Sequence, residues 1–150
     1  MTSLQAIAQS PFLNLHLGGM SVEFTMLTLA ILLGIVQLFL AVQFVTAERG
    51  TAWNVGPRDV TPPIKGRIAG RLDRAFSNFK ETFPFFAAAI LMVAILGRHN
   101  WQTQLGSELY VAARILYVPL YAFGVTGLRT LVFLASVIGI GLVLAALFAM

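Results

Sequence analysis

Long stretches without a charged side chain alternate with short basic segments along this chain. Residues 24–47 form one run of 24 uncharged residues, and residues 130–150 form another of 21. A helix rises about 1.5 Å per residue, so either run is long enough to cross the hydrocarbon core of a bilayer, which is about 30 Å thick. The pattern predicts transmembrane helices over about 22–47 and about 129–149.

Two further helices are predicted between these, and both mix apolar positions with a few polar ones. One covers about 69–97, with a polar first half, an apolar second half and Pro84 inside it. The other covers about 107–124, after a short polar turn that ends at Gly106. The fold class predicted is therefore all-α: a four-helix transmembrane bundle that forms a single domain over 1–150.

Composition supports the membrane class. Hydrophobic residues make up 58% of the chain and charged residues 11%, against about 25% charged in a typical soluble domain. These values exclude a soluble globular domain and an intrinsically disordered chain. Residues 1–20 carry no charge and lack the basic start of a secretory signal, so we expect a short lead-in there. Because the chain has no cysteine, any thiol chemistry must use a thiol carried by a ligand.

Basic residues concentrate in one segment. The predicted loop between the first two helices, about 48–68, is rich in proline, and six of the ten Lys and Arg residues lie between 49 and 74. Short loops rich in Lys and Arg stay in the cytoplasm, which predicts a cytoplasmic loop and both termini on the non-cytoplasmic side. The net charge of +4 then reports membrane topology, and no nucleic-acid partner is expected.

Polar side chains form stripes on the two middle helices. On the first of these helices the stripe is spaced by three, four and three residues, and consists of Arg71, Arg74, Asn78 and Glu81. On the second it is spaced by three and four, and consists of Arg114, Tyr117 and Tyr121. Such spacings place residues on one face of a helix. Two polar faces on adjacent membrane helices predict a shared polar site.

Two interpretations of these stripes stay open. In the first, Glu81 pairs with Arg74 or Arg114 and only fixes the packing of the helices. In the second, guanidinium, amide, carboxylate and phenol groups bind a small zwitterionic peptide near the cytoplasmic boundary. No metal site is predicted, because His16 and His99 both fall in predicted non-cytoplasmic segments and no cluster of carboxylates accompanies them.

The run from Arg71 to Phe85 resembles the signature of the membrane-associated proteins in eicosanoid and glutathione metabolism, the MAPEG family. It matches the pattern R-x-x-R-A-x-x-N-x-x-E-x-x-P-F at seven informative positions. A second block is also similar, and it comprises Ala113, Arg114, Tyr117, Tyr121 and Arg129. The loop sequence W-N-V-G-P-R-D at 53–59 is similar to that of an uncharacterised bacterial branch, which implies a bacterial inner membrane.

The resemblance implies a homotrimer with ligand sites between neighbouring subunits near the cytoplasmic face. In the enzymatic branches the ligand is glutathione, and the partner substrate is a small hydrophobic electrophile that enters from membrane lipid. Carried over by position, the residues that contact glutathione would be Arg71, Arg74, Asn78, Glu81, Tyr117 and Tyr121. Arg129 or Arg114 would stabilise the thiolate. The implied activity is that of a membrane glutathione transferase or peroxidase.

Three positions depart from the glutathione-using members. Thr82 stands where some of them carry a tyrosine, Phe76 where they carry a glutamine, and Glu48 where leukotriene-synthase-like members carry a basic residue. These departures favour an alternative function on the same fold. In that alternative the protein is a non-catalytic membrane scaffold or lipid-binding protein, and the polar stripes serve packing and trimer specificity.

Overall fold

Helices account for nearly all of the chain that the structure describes. The structure is a computed structural model, and it describes residues 19–148. The predicted lead-in, apart from residues 19 and 20, and the last two residues lie outside this range, as does His16. The helices are α1 (Val22–Arg49), α2 (Thr51–Val55), α3 (Arg67–Leu96), α4 (Trp101–Phe123) and α5 (Thr126–Phe148).

Two predicted helix starts are wrong. Helix α4 begins at Trp101 and not near residue 107, because Asn100 caps it: the Asn100 side chain accepts hydrogen bonds from the backbone of Gln102 and Thr103, and Thr103 bonds back to the Asn100 backbone. Helix α5 begins at Thr126 and not at 129. The first residues of both helices are polar or of mixed polarity, so a prediction from hydrophobicity alone begins each helix too late.

The predicted loop of about 48–68 contains a short helix. Helix α1 continues to Arg49, a short helix α2 follows it, and α3 begins at Arg67. Glu48 explains the start of α3, since its Oε2 accepts hydrogen bonds from the backbone amides of Lys65 at 2.8 Å and Gly66 at 2.9 Å. A carboxylate in this place satisfies amides that a helix start leaves without partners and complements the helix dipole.

Successive long helices run in opposite directions, which gives the bundle two ends. We call the end with residues 49–67 and the turn at Gly124 the loop end, and the end with residues 97–100 the turn end. Helix α1 packs on α3 and α4, and α5 packs on α4 and α3. Gly124 has a φ of 77°, a conformation that favours glycine, and it ends α4 at the loop end.

The apolar core lies between the helices, mainly toward the turn end. Phe86 of α3 and Tyr110 of α4 stack there with ring centroids 4.0 Å apart. Helices α4 and α5 approach most closely at two glycines: a Cβ added to Gly139 would lie 2.6 Å from the Gly106 carbonyl oxygen. The other buried apolar residues of this core are Val22, Met26, Ala30, Ala89, Ile90, Val93, Val111, Ile140, Val143 and Leu147.

Three of the long helices, α1, α3 and α5, are long and apolar enough to cross a membrane. Many large apolar side chains point outward on them, including Phe39 at 62% exposure and Ile95 at 82%. Water would be a poor environment for such a surface, whereas lipid suits it. The described residues form no strand, and the protein is an integral membrane protein with an all-helical fold.

Candidate functional site

A fully buried arginine on α4 lies at the centre of the polar stripes. Arg114 is 1% exposed. Its Nη1 donates to Oδ1 of Asn78 at 2.7 Å, and its Nη2 donates to Oγ1 of Thr82 at 2.7 Å. Both acceptors belong to α3, so this one guanidinium joins the two central helices of the site.

Aromatic rings enclose the same guanidinium. The Arg114 Cζ atom lies 5.5 Å from the ring centroid of Tyr110 and 5.4 Å from those of Tyr117 and Phe133. The negative faces of aromatic rings attract a cation at such distances. These contacts hold the charge in place, but none of them neutralises it.

Arg114 forms no direct ion pair in the part of the chain that the structure describes. The carboxylate that lies within ion-pair distance of a basic side chain in residues 19–148 is Glu23, whose Oε1 is 3.3 Å from Nδ1 of His99. The predicted direct pairing of Glu81 with Arg74 or Arg114 is wrong, because no such contact lies within ion-pair distance. Glu81 is exposed and interacts with Arg114 only over a longer distance. Burial of an arginine without a carboxylate is costly and typical of sites that bind an anion.

A polar pocket opens beside this arginine at the loop end. Its volume is about 190 Å³, and its lining residues are Asn78, Tyr117, Tyr121, Arg129, Thr130 and Phe133. The Arg129 Cζ atom lies 4.4 Å from the ring centroid of Tyr121, across the turn that joins α4 to α5. The pocket thus gathers residues from α3, α4 and α5, and four of them were predicted site residues.

The other predicted site residues lie around the pocket and not in its lining. Arg74 and Glu81 are exposed and lie about one turn either side of Asn78 on the same face of α3. Arg71 is half-buried, and its Nη1 donates to the carbonyl of Ala122 at 3.1 Å, at the end of α4. Arg114 lies behind the pocket, where it positions Asn78.

Three residues of the site, Thr82, Thr130 and Phe133, are not among the residues that the sequence places there, whereas Tyr110 lies one turn before Arg114 on the predicted polar face of α4. Thr82 and Tyr110 both contact Arg114, and their hydroxyl oxygens lie 3.3 Å apart. Thr130 and Phe133 line the pocket. A signal existed for Phe133, which follows Arg129 by four residues on one helical face. The same signal existed for Thr82, which follows Asn78 of the stripe by four residues on one face of α3.

A second buried polar cluster lies at the turn end. Glu23 is 1% exposed, and its Oε1 accepts a hydrogen bond from Oγ1 of Thr103 at 2.6 Å and lies 3.3 Å from Nδ1 of His99. This cluster ties the first turn of α1 to the capping turn of α4. Within residues 19–148, no three His, Asp or Glu side chains are grouped to hold a metal ion.

An apolar groove lies on the opposite face of α3. It has a volume of about 360 Å³ and lies between α1 and α3. Its lining includes Ile31, Gly34, Phe79, Phe83 and Lys80, the last of which is its charged member. The polar pocket and the apolar groove are therefore separated by α3 itself.

Comparison with known proteins identifies one relationship. The family model described as the MAPEG family matches residues 26–149, which is most of the chain. No curated protein and no solved structure gives a match. The matched range includes α3, α4 and α5 completely, and with them every residue that lines the polar pocket.

Proposed function

The chain belongs to the MAPEG family, and we propose that it is a glutathione-dependent membrane transferase or peroxidase that acts on small hydrophobic electrophiles. The observation that carries this proposal is Arg114, a buried guanidinium that forms no direct ion pair among the described residues and adjoins a polar pocket. Such a group creates a positive potential in the pocket, and an anionic ligand is what that potential stabilises.

The donor set fits a small peptide that carries carboxylates and a thiol. Arg129, Tyr117 and Tyr121 present a guanidinium and two phenols to the pocket. Asn78 offers an amide, and Arg74 and Glu81 add a cation and an anion on the same face of α3. A zwitterionic tripeptide offers the complementary groups. In this arrangement Arg71, which donates a hydrogen bond to the end of α4, contacts the ligand from outside the pocket lining.

Each cation has its own role in this proposal. Glutathione, when bound, supplies the nucleophilic sulfur that the chain itself lacks. A free thiol has a pKa of about 8.5, and a nearby guanidinium favours its anion. Arg129 lines the pocket, so we assign it to the sulfur. Arg114 holds Asn78 in position and adds positive potential from behind, and the proton released by the thiol leaves to solvent at the loop end.

The proposal includes the assembly that the resemblance implies. All four long helices cross the membrane, with the loop end in the cytoplasm and both termini outside, in a bacterial inner membrane. Arg74 and Glu81 are exposed on a single chain, and a neighbouring subunit of a homotrimer would cover them. Hydrophobic electrophiles would reach the sulfur laterally from lipid.

Titration of the purified protein with glutathione tests the proposal. We expect saturable binding together with the ultraviolet absorbance of a thiolate at neutral pH. S-Methylglutathione is the matched control ligand, since it has no ionisable thiol and should bind without this absorbance. An absence of binding at millimolar glutathione would overturn the proposed function.

The variant Arg129→Gln tests whether Arg129 stabilises the thiolate without being needed for binding of the rest of the ligand. Arg129 is half-buried at the start of α5, so its loss should leave the fold intact. We expect the thiolate absorbance to disappear while S-methylglutathione still binds. Arg98→Gln removes a charge at the turn end and is the control, which should keep the absorbance.

A non-catalytic scaffold is the second candidate, and two contacts favour it. Thr82 is committed to Arg114, and Glu48 is committed to the start of α3, so neither offers the side chain that some glutathione-using members carry there. In this case Arg114→Met should alter the oligomeric state, and glutathione should not bind to any variant. Analytical ultracentrifugation in detergent would distinguish the two candidates.

A further inference from the structure

The loop between α1 and α3 is built around one tryptophan. Two arginines lie against the Trp53 ring: the Arg49 Cζ atom is 4.5 Å from its centroid, and the Arg58 Cζ atom is 5.1 Å from it. The indole Nε1 donates to the carbonyl of Val60 at 2.9 Å, which closes the loop over the ring. Two cations are therefore gathered at one interfacial aromatic residue.

Backbone acceptors fix both guanidinium groups. Arg49 Nε donates to the Pro62 carbonyl at 2.7 Å, and Arg58 Nη2 donates to both the carbonyl and the Oδ1 of Asn54 at 2.7 Å. Arg58 also has a φ of 60°, which is uncommon for a residue with a side chain and persists only where its surroundings impose it. The loop thus holds the two charges in a defined place.

Neither guanidinium is neutralised within the part of the chain that the structure describes. No Asp or Glu oxygen lies within ion-pair distance of Arg49 or Arg58, and the nearby Glu48 accepts hydrogen bonds from the start of α3 instead. Nη1 and Nη2 of Arg49 and Nη1 of Arg58 have no acceptor in residues 19–148. Both guanidinium groups lie at the same ring, so an anion beside that ring would interact favourably with each of them.

Two apolar side chains of the same loop are strongly exposed. Val55 is 86% exposed and Val60 is 79% exposed. Both ends of the loop continue into helices of membrane-spanning length, α1 and α3, so the loop lies close to the bilayer surface. Tryptophan, arginine and exposed valine together match the interfacial region of a bilayer, where apolar contact and phosphate groups occur at the same depth.

We propose that this loop binds the headgroups of anionic phospholipids at the membrane surface. Arg49 and Arg58 hold the phosphate, and Trp53, Val55 and Val60 contact the bilayer interface. The exposed valines favour a lipid over a free phosphate ion, since a soluble anion gains nothing from them. This site is separate from the polar pocket, whose lining residues lie on α3, α4 and α5.

Tryptophan fluorescence of the full chain tests the proposal. The chain has two tryptophans, so Trp101→Phe leaves Trp53 as the single reporter. The protein is reconstituted in phosphatidylcholine vesicles that contain a fixed fraction of brominated lipid, either phosphatidylglycerol or phosphatidylcholine. Quenching by the brominated anionic lipid should exceed quenching by the brominated zwitterionic lipid, and the excess should fall as sodium chloride is raised.

Charge variants test the two arginines. Arg49→Gln and Arg58→Gln, each in the Trp101→Phe background, should reduce the preference for the anionic lipid about fivefold apiece. Arg58→Lys should keep most of it because the charge remains. Lys80→Gln is the matched control, since it removes one charge from the middle of α3 and should change nothing.

Any one of four other outcomes would overturn the proposal. Equal quenching by the two brominated lipids would mean contact without selection of the anion. An absence of quenching by either lipid would place Trp53 away from the bilayer. A preference that disappears on addition of millimolar inorganic phosphate would indicate a site for a soluble anion. An unchanged preference in both glutamine variants would exclude the arginines as the binding groups.

Discussion

The two ends of the bundle each bury a charged residue, but they treat the charge differently. At the turn end, Glu23 lies against His99 and the hydroxyl of Thr103, within the capping turn of α4. In the half of the bundle nearer the loop end, Arg114 is held by neutral acceptors and aromatic rings, beside an open pocket. A buried charge that faces an ionisable partner is satisfied within the fold, whereas a buried charge without a direct partner is a candidate for ligand binding.

Arg114→Met is expected to have the largest effect, and that effect should be on ligand binding and not on stability. Loss of the buried cation should weaken glutathione binding about a hundredfold, because it removes both the positive potential behind the pocket and the charged hydrogen bond that holds Asn78, and such bonds contribute up to about 3 kcal/mol. The free energy of unfolding should stay equal or rise, since an apolar side chain of similar length removes an unpaired buried charge. Isothermal titration and thermal unfolding in detergent measure the two effects.

Arg114→Lys is the control for that variant. Lysine keeps the charge but cannot donate to Asn78 and Thr82 as a planar fork does, so binding should be intermediate. If Arg114→Met instead unfolds the protein while Arg114→Lys does not, the charge serves the fold, and the distinction between the two ends is lost.

Glu23→Ala should show the opposite behaviour at the turn end. Removal of the carboxylate takes the acceptor from Thr103 and the anion from His99, which should cost about 2 kcal/mol of unfolding free energy. Glutathione binding should be unchanged. Glu23→Gln keeps an oxygen acceptor for Thr103 and should cost less. Weaker ligand binding in Glu23→Ala would show that the ends are coupled.

Thr82→Val tests how far the pocket depends on the position of Arg114. Valine has nearly the same shape but cannot accept the hydrogen bond from Nη2, so the guanidinium loses one of its two anchors on α3. We expect about a tenfold loss of glutathione affinity, equivalent to about 1.4 kcal/mol. Thr130→Val at the pocket rim is the matched control with a smaller effect. Equal losses in both variants would argue against the positioning role of Thr82.

His99→Gln is expected to have the smallest effect. The His99 side chain is 37% exposed, and solvent screens its interaction with Glu23. The loss of unfolding free energy should be about 0.5 kcal/mol, with no change in glutathione affinity. A loss as large as that of Glu23→Ala would mean that the ion pair, and not the Thr103 hydrogen bond, stabilises the turn end.

Helical spacing predicts much of this site, and there is a physical reason why it cannot predict the rest. Intervals of three and four residues predict the polar stripes. Three stripe residues and Arg129 do meet in one pocket, namely Asn78, Tyr117, Tyr121 and Arg129. The pairing of Glu81 could not be judged, because spacing along one helix says nothing about which helix faces it. Thr82 was missed as a partner of Arg114 for the same reason.

The sequence by itself determined the membrane class, the polar faces of the middle helices and the family. Those properties are local: uncharged length decides whether a segment suits lipid, and helical periodicity decides which residues share a face. Only the tertiary structure decided that Arg114 bonds to α3 without a direct ion pair, that Arg129 meets Tyr121, and that Glu48 caps a distant helix. These contacts depend on how closely whole helices pack, as at Gly106 and Gly139, and packing distance is not encoded in the spacing of any single helix.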